Sequence, residues 1–109
     1  MTDRELLDTA ARAAGYSIRF ASDGTCFRVD SSWTGEWNPL TDDGDALRLA
    51  VKLRLTVCHY SFCVSVTHHM NAGASLSLAD GNNETATRRA IVHAAAAMAE
   101  KIEAPQAGN

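Results

Sequence analysis

The chain has 109 residues and a formal net charge of −3, with 21% of its residues charged and 46% hydrophobic. This length suits a single domain with its own core, and the acidic balance argues against a general nucleic-acid binder, which carries a basic surface. No apolar run reaches the about 20 residues that a membrane helix needs, and the polar start lacks a signal segment, so we expect a cytoplasmic protein without a membrane partner.

The first predicted element is a helix over 3–14. Thr2 and Glu5 have the spacing of a capping box, in which each side chain binds a backbone N–H at the start of the helix. Gly15 is placed to end the helix, because glycine readily takes the left-handed conformation found there. Between them, apolar residues recur on one side of the helix, namely Leu6, Leu7, Ala10, Ala13 and Ala14.

Alternating residues then predict a β-hairpin formed by 16–21 and 25–30, with a turn at Gly24. In this pattern Phe27 and Val29 share one face of the second strand, and Cys26 lies on the other face with charged neighbours. The sequence therefore predicts that Cys26 lies on the less buried side of the hairpin.

A loop is predicted over 31–40, and it carries two tryptophans, Trp33 and Trp37. Two interpretations are open for these side chains. They can fold back over the edge of the core, or they can form a surface for a partner, because tryptophan is enriched in binding hot spots.

The central helix is predicted over 42–53, and Thr41, Asp42 and Asp43 are each suitable N-caps. Its apolar side consists of Ala46, Leu47, Leu49, Ala50 and Leu53, and its polar side of Asp45, Arg48 and Lys52. The aspartates also resemble the start of a calcium loop, but the twelfth position from Asp42 holds Leu53 where that loop needs glutamate. Helix capping is therefore the preferred interpretation of these carboxylates.

Two further strands, 55–60 and 62–68, are predicted to form a hairpin in which Val57 opposes Val64. A third strand is predicted at 74–79. Its serines give it one polar side, and as an exposed edge it offers backbone groups with which a second copy of the chain can pair. A homodimer through this edge strand is one predicted assembly.

The last predicted helix spans 84–102, and 104–109 is predicted to be a disordered tail after a single domain of 1–103. The apolar stripe of this helix contains Ala90, Ile91, Ala94, Ala95, Met98 and Ile102. The predicted order is α-β-β-α-β-β-β-α. Short connections within each group of strands favour an α+β fold with two layers, in which helices cover one face of an antiparallel β-sheet of hairpins.

The cysteines allow several interpretations. Cys26, Cys58 and Cys63 are odd in number and contain no CxxC pair, which favours reduced thiols over a closed disulfide framework. In the predicted hairpin Cys58 opposes Cys63, which leaves open a disulfide or, together with His69, a zinc site. Neighbouring histidines fall on the opposite face. We predict no metal and no cofactor, and a thiol- or metal-dependent role at Cys58 and Cys63 stays an alternative.

The segment 37–53, with the sequence WNPLTDDGDALRLAVKL, resembles a family of small phage- and prophage-encoded proteins of unknown function. The start of the chain, 1–7, and the segment 86–92 are similar to the first and last helices of that family. These segments cover about a third of the chain. The resemblance implies a mobile-element origin and a compact α+β fold, and it implies no activity.

The sequence contains no nucleophile elbow, glycine-rich phosphate loop or catalytic carboxylate pair, so we do not predict an enzyme. The leading hypothesis is a small accessory protein that binds an unidentified protein partner. Its candidate contact residues are Trp33, Trp37, Arg48 and Lys52. The alternative is an accessory protein that binds nucleic acid, although the net charge disfavours it. In that case the phosphate contacts come from Arg48, Lys52, Arg88 and Arg89.

Overall fold

The computed structural model describes residues 2–30, 33–68, 72–77 and 83–103, with Trp33, 72–77 and 101–103 described through their backbone. These described residues form three helices, α1 (Asp3–Ala14), α2 (Asp43–Leu53) and α3 (Asn83–Glu103). The same described residues form six strands, β1 (Ile18–Phe20), β2 (Cys26–Asp30), β3 (Trp33–Glu36), β4 (Thr56–His59), β5 (Cys63–His68) and β6 (Ala72–Ser77). The predicted α+β class with antiparallel strands is confirmed. The predicted tail at 104–109 lies outside the described residues.

Local side-chain chemistry sets the bounds of α1. The Glu5 N–H donates to Thr2 Oγ1 at 3.1 Å, and the Thr2 N–H donates to Glu5 Oε1 at 2.9 Å, so the predicted capping box is present. The helix ends at Gly15, which has φ of 77°. A residue with a Cβ is strained in this conformation, which explains the glycine.

The start of α2 is fixed by Asp42, which resolves the choice among three N-cap candidates. Its Oδ2 accepts the N–H of Asp45 at 2.8 Å. The helix ends at Arg54, whose backbone has φ of 56° and ψ of 47°. These angles lie in the left-handed region, where glycine is favoured. Arg54 is therefore held in a conformation that an arginine adopts only at a cost.

The first sheet has the order β1-β2-β3 and one strand more than predicted, because 33–36 extends the hairpin instead of forming a loop. The prediction for Cys26 was wrong, since Cys26 is 2% exposed. The inner face of β2 carries Cys26 and Arg28, and Arg28 is accommodated there because its guanidinium stacks on the ring of Tyr16 at 3.7 Å and binds Asp30 at 2.6 Å.

The second sheet has the order β4-β5-β6, and β6 is an edge strand over Ala72–Ser77. The predicted register of its first hairpin was wrong by two residues, since Val57 opposes Val66 and Cys58 opposes Ser65. The turn explains the shift, because the N–H of Tyr60 donates to the Cys63 carbonyl oxygen at 2.8 Å. A shift of two residues leaves the same side chains on each face, so the alternation of residues could not reveal it.

Helix α3 lies at the centre of the fold, against β5 and β6 on one side and against α1 and α2 on others. It is buried around most of its circumference, through Ala90, Ile91, Val92, Ala94, Ala95, Ala96 and Ala99. Small alanine side chains let neighbouring elements approach closely. The predicted antiparallel hairpins are arranged in two separate sheets. One core cluster nevertheless includes residues of all three helices and both sheets.

Candidate protein-binding surface

An open groove of about 540 Å³ lies between α2, β4 and the first half of α3. Its walls are mostly apolar and are formed by Ala46, Leu47, Ala50, Val57 and Ile91. Ala46, Ala50 and Ile91 also belong to the core cluster, so the floor of the groove is part of the rigid interior. Clefts with apolar walls and a few polar groups are the usual form of a binding site.

Beside this groove, α2 presents Leu47 and Val51 to the solvent, and we call these two residues the α2 ridge. Leu47 is 64% exposed and Val51 is 69% exposed, and their spacing of four places them on the same helix face. Leu47 was predicted to lie on the buried side. The helix instead buries a narrower stripe of Ala46, Leu49, Ala50 and Leu53, which leaves Leu47 at the lip of the groove.

The polar rim of the groove is already engaged in contacts within the chain. Arg88 donates to the Leu40 carbonyl oxygen at 2.9 Å, to Thr85 Oγ1 at 3.1 Å and to the carboxylate of Asp43. These bonds join α3 to the start of α2. The Arg88 side chain is only 17% exposed, so it links these two helices and has little access to a phosphate.

His59 and Thr87 form the second polar pair of the rim. The Thr87 hydroxyl donates to the Asn83 carbonyl oxygen at 2.7 Å, and its oxygen lies 2.9 Å from His59 Nε2, which donates to it in the Nε2-protonated tautomer. A nucleophilic hydroxyl must instead donate its proton to the histidine. The direction of these bonds therefore differs from that of a nucleophile activated by a base.

The predicted cations of α2 differ in their surroundings. Arg48 donates to Asp45 Oδ1 at 2.8 Å and lies 3.9 Å from Asp42, and its hydrogen bond to the Asp45 carboxylate raises the pKa of Arg48. Lys52 and Arg54 are exposed and form no ion pair with any residue in the described part of the chain. The positive charges of Lys52 and Arg54 are thus available to a partner at the C-terminal end of α2.

Trp37, a predicted partner contact, belongs to the core. It is 2% exposed, and its ring packs edge-on against Tyr16 with 5.8 Å between the ring centroids. The side chain of Trp33 lies outside what the structure describes, and its backbone pairs with Asp30. Of the four predicted contact residues, Arg48 and Lys52 are exposed on α2, and Trp37 supplies packing to the interior.

Sequence reasoning missed the α2 ridge, although a signal for it was present. A three-turn helix on a core needs one apolar stripe, and α2 carries Leu47 and Val51 in addition to the four residues of its buried stripe. An excess of large apolar residues over that stripe indicates a second contact surface.

The cysteines are unbonded, and the described residues contain no group of three or more His, Cys, Asp or Glu side chains that could hold a metal ion. Cys58 lies opposite Ser65, so the predicted direct pairing of Cys58 with Cys63 is absent. His69, the proposed further ligand, lies outside the described residues.

We expect one slow thiol and two fast thiols in the folded chain. Burial, with smaller contributions from Asp8 and Asp45, raises the pKa of the Cys26 thiol from 9.0 to about 11. Because the thiolate is the reactive form, Cys26 should react with a disulfide reagent about tenfold or more slowly than the partly exposed Cys58 and Cys63. Stopped-flow absorbance measures the rates, and Cys26→Ala should remove only the slow phase. Three equal rates would contradict the burial.

The same pKa shift has a consequence for stability. A thiol whose pKa is raised by folding stabilises the protein below its unfolded pKa of 9.0, and this contribution is lost as the pH rises to about 11. The free energy of unfolding of the native chain should therefore decline more over this range than that of Cys26→Ala.

Comparisons of the chain with protein-family models, with curated proteins and with solved structures find no match. Among the described residues, no helix combines the length and the apolar character that crossing a bilayer requires. The groove and the α2 ridge are therefore the features that indicate a function, and the resemblance of 37–53 to prophage proteins stays a prediction.

Proposed function

We propose that this chain is a non-enzymatic accessory protein of prophage type that binds another protein through the α2 ridge and the adjoining groove. The observation that carries the proposal is the exposure of Leu47 and Val51 beside an apolar groove of about 540 Å³. Covering two large aliphatic side chains removes apolar surface from water, at about 25 cal/mol per Å². A partner that inserts an apolar side chain into the groove gains this free energy.

Two features make this surface suitable for a protein partner. The floor of the groove is held by the core and by Arg88, so a partner meets a surface that is already ordered, which lowers the entropy cost of binding. Lys52 and Arg54, which form no ion pair with the residues that the structure describes, border the apolar centre. An apolar centre with a charged rim is the usual anatomy of a protein interface.

Nucleic-acid binding has less support. Arg48 pairs with Asp45, Arg88 with Asp43, and Arg89 with Asp3 at 3.2 Å. Each of these arginines already faces a carboxylate, which repels a phosphate at the same position. A phosphate-binding surface would need these pairs to open.

The test is affinity capture of the tagged chain from its host, followed by mass spectrometry. Replacing Leu47 and Val51 by aspartate should reduce recovery of a specific protein partner by about tenfold or more, because both changes place a charge in the centre of the interface. Phe62→Ser is the matched control, since Phe62 is 73% exposed and does not line the groove. It should leave recovery unchanged.

Circular dichroism of each variant checks that the fold is retained. Recovery that is equal for the native chain and the Leu47/Val51 variant would contradict the proposed surface. Recovery that is abolished by nuclease and falls steeply with salt would favour nucleic acid instead.

A further inference from the structure

The surface around the α2 ridge has charges of opposite sign at its two ends. Asp43, which pairs with Arg88 but keeps a side chain 73% exposed, and Glu84 lie at one end of the groove, where α2 and α3 begin. Arg54 lies beyond the C-terminal end of α2, with Lys52 near it. Leu47 and Val51 occupy the middle. A partner for this surface needs a basic end, an apolar middle and an acidic end, in that order.

We propose that the partner of this surface is a second copy of the chain, with the two α2 helices packed antiparallel about a two-fold axis. The inference rests on the proposed function, because it assigns a partner to the same surface. A two-fold axis makes an interface self-complementary, so each end of one α2 helix meets the opposite end of the other. The acidic end of each copy then faces the basic end of its neighbour.

Sequence spacing on α2 supports this arrangement. Gly44, Leu47 and Val51 follow the three-then-four spacing of a helix contact stripe, and Arg54 continues it at the end of the helix. In the antiparallel pairing Leu47 of one copy lies against Val51 of the other, and Gly44 lies against Arg54. The guanidinium of Arg48 and the carboxylate of Asp42 lie where a side chain at position 44 would project. Arg54 of the other copy therefore meets the acidic end at Asp43, whose side chain is 73% exposed.

A parallel arrangement would have the opposite electrostatic effect. It would place Asp43 near Asp43 and Arg54 near Arg54, and like charges at an interface oppose association. The helix dipoles act in the same direction, since antiparallel helices bring the negative end of one beside the positive end of the other. Charge therefore selects the antiparallel pairing.

The conformation of Arg54 is a second, independent observation. Its φ of 56° belongs to the left-handed region, where glycine is the favoured residue at the end of a helix. An exposed arginine in this position, without an ion pair to any residue that the structure describes, costs the monomer stability. A contact with the acidic end of a second copy gives this cation a role.

The predicted interface is small. Helix α2 has 11 residues and is about 16 Å long, so its exposed face buries less area than a standard interface. Association should therefore be reversible and dependent on concentration, and it should weaken with salt because part of the attraction is between exposed charges.

Sedimentation velocity of the purified full chain, from micromolar to millimolar concentration, tests the inference. The weight-average mass should rise towards twice that of one chain, and less steeply at high salt. Leu47→Asp with Val51→Asp should hold the chain as a monomer, and Phe62→Ser should leave the association unchanged. A native chain that stays monomeric at every concentration would overturn the inference.

Arg54→Gly separates the dimer contact from folding. Glycine relieves the left-handed strain, so the urea midpoint of the monomer should rise, while self-association should weaken by about threefold or more with a smaller salt dependence. A merely structural residue would change stability and association in the same direction. Unchanged association with Arg54→Gly would contradict the charge contact.

Cross-linking tests the orientation, in a chain whose Cys58 and Cys63 are replaced by serine. A chain with Leu47→Cys mixed with a chain with Val51→Cys should form the mixed disulfide in excess over either disulfide homodimer. Excess homodimers would overturn the antiparallel pairing. A dimer insensitive to Leu47→Asp would instead point to the β6 edge strand and would also overturn the inference.

The two proposals fail in different ways. If the chain stays monomeric while capture of another protein is lost with the Leu47/Val51 variant, only the proposed self-association is wrong. If replacing those residues changes neither the capture of a partner nor the weight-average mass of the chain, the proposed binding surface is wrong.

Discussion

Trp37→Ala is expected to destabilise the fold by about 3–5 kcal/mol, the usual cost of removing a large aromatic side chain from a core. Trp37 is 2% exposed, packs against Tyr16, and donates its backbone N–H to the Cys26 carbonyl oxygen at 2.9 Å. Alanine leaves a cavity where the 37–53 segment meets the first sheet. A small domain has only about 5–15 kcal/mol of stability, so a large part of it would be lost.

Urea unfolding followed by far-UV circular dichroism measures this loss without relying on tryptophan fluorescence. Leu47→Ala is the matched control, because Leu47 is 64% exposed and its truncation should change stability by about 0.5 kcal/mol or less. If the Trp37→Ala chain kept the native urea midpoint but no longer bound its protein partner, Trp37 would be a surface contact.

Asp45→Ala is expected to cost about 2–3 kcal/mol, because it leaves a backbone N–H without its acceptor. Asp45 is 6% exposed, and its Oδ2 accepts the N–H of Asn38 at 2.9 Å across the loop that precedes α2. The other oxygen binds Arg48. The carboxylate therefore fixes the loop to the first turn of the helix and positions Leu40, whose carbonyl oxygen binds Arg88.

Arg48→Ala distinguishes the two roles of Asp45. The Arg48 side chain is 65% exposed, so its ion pair should be worth about 1 kcal/mol or less. A much larger loss with Asp45→Ala than with Arg48→Ala, measured by urea unfolding, would assign the stability to the bond with Asn38. Equal losses would assign it to the ion pair.

The contacts of Trp37 and Asp45 change the interpretation of the segment 37–53. Trp37, Asn38 and Asp45 act together as a structural clamp at the start of α2, which accounts for much of its distinctive sequence. Of the polar residues predicted on the outer side of the helix, Asp45 is buried and Arg48 is paired with it. The part of the segment that we propose to be functional is the apolar pair that the helix does not bury, Leu47 and Val51.

Local chemistry determined the helices, and the sequence alone was sufficient to predict them. The capping box at Thr2 and Glu5 and the glycine at position 15 act within a few residues, so α1 has the predicted bounds. The class of the fold followed from the alternation of strand residues and the short connections between strands. Those signals do not depend on what packs against each element.

Only the tertiary structure decided which faces are buried and which strands align. Arg28 can face inward beside Cys26 because the Tyr16 ring and the Asp30 carboxylate surround its guanidinium. These contacts depend on how the chain folds around Arg28. The register of β4 and β5 depends on a turn whose residues carry no strong preference. Leu47 and Val51 are exposed because α1 and α3 pack against the other side of α2. An apolar residue has the same local pattern in a core and in an interface, so its role depends on the neighbours that the fold provides.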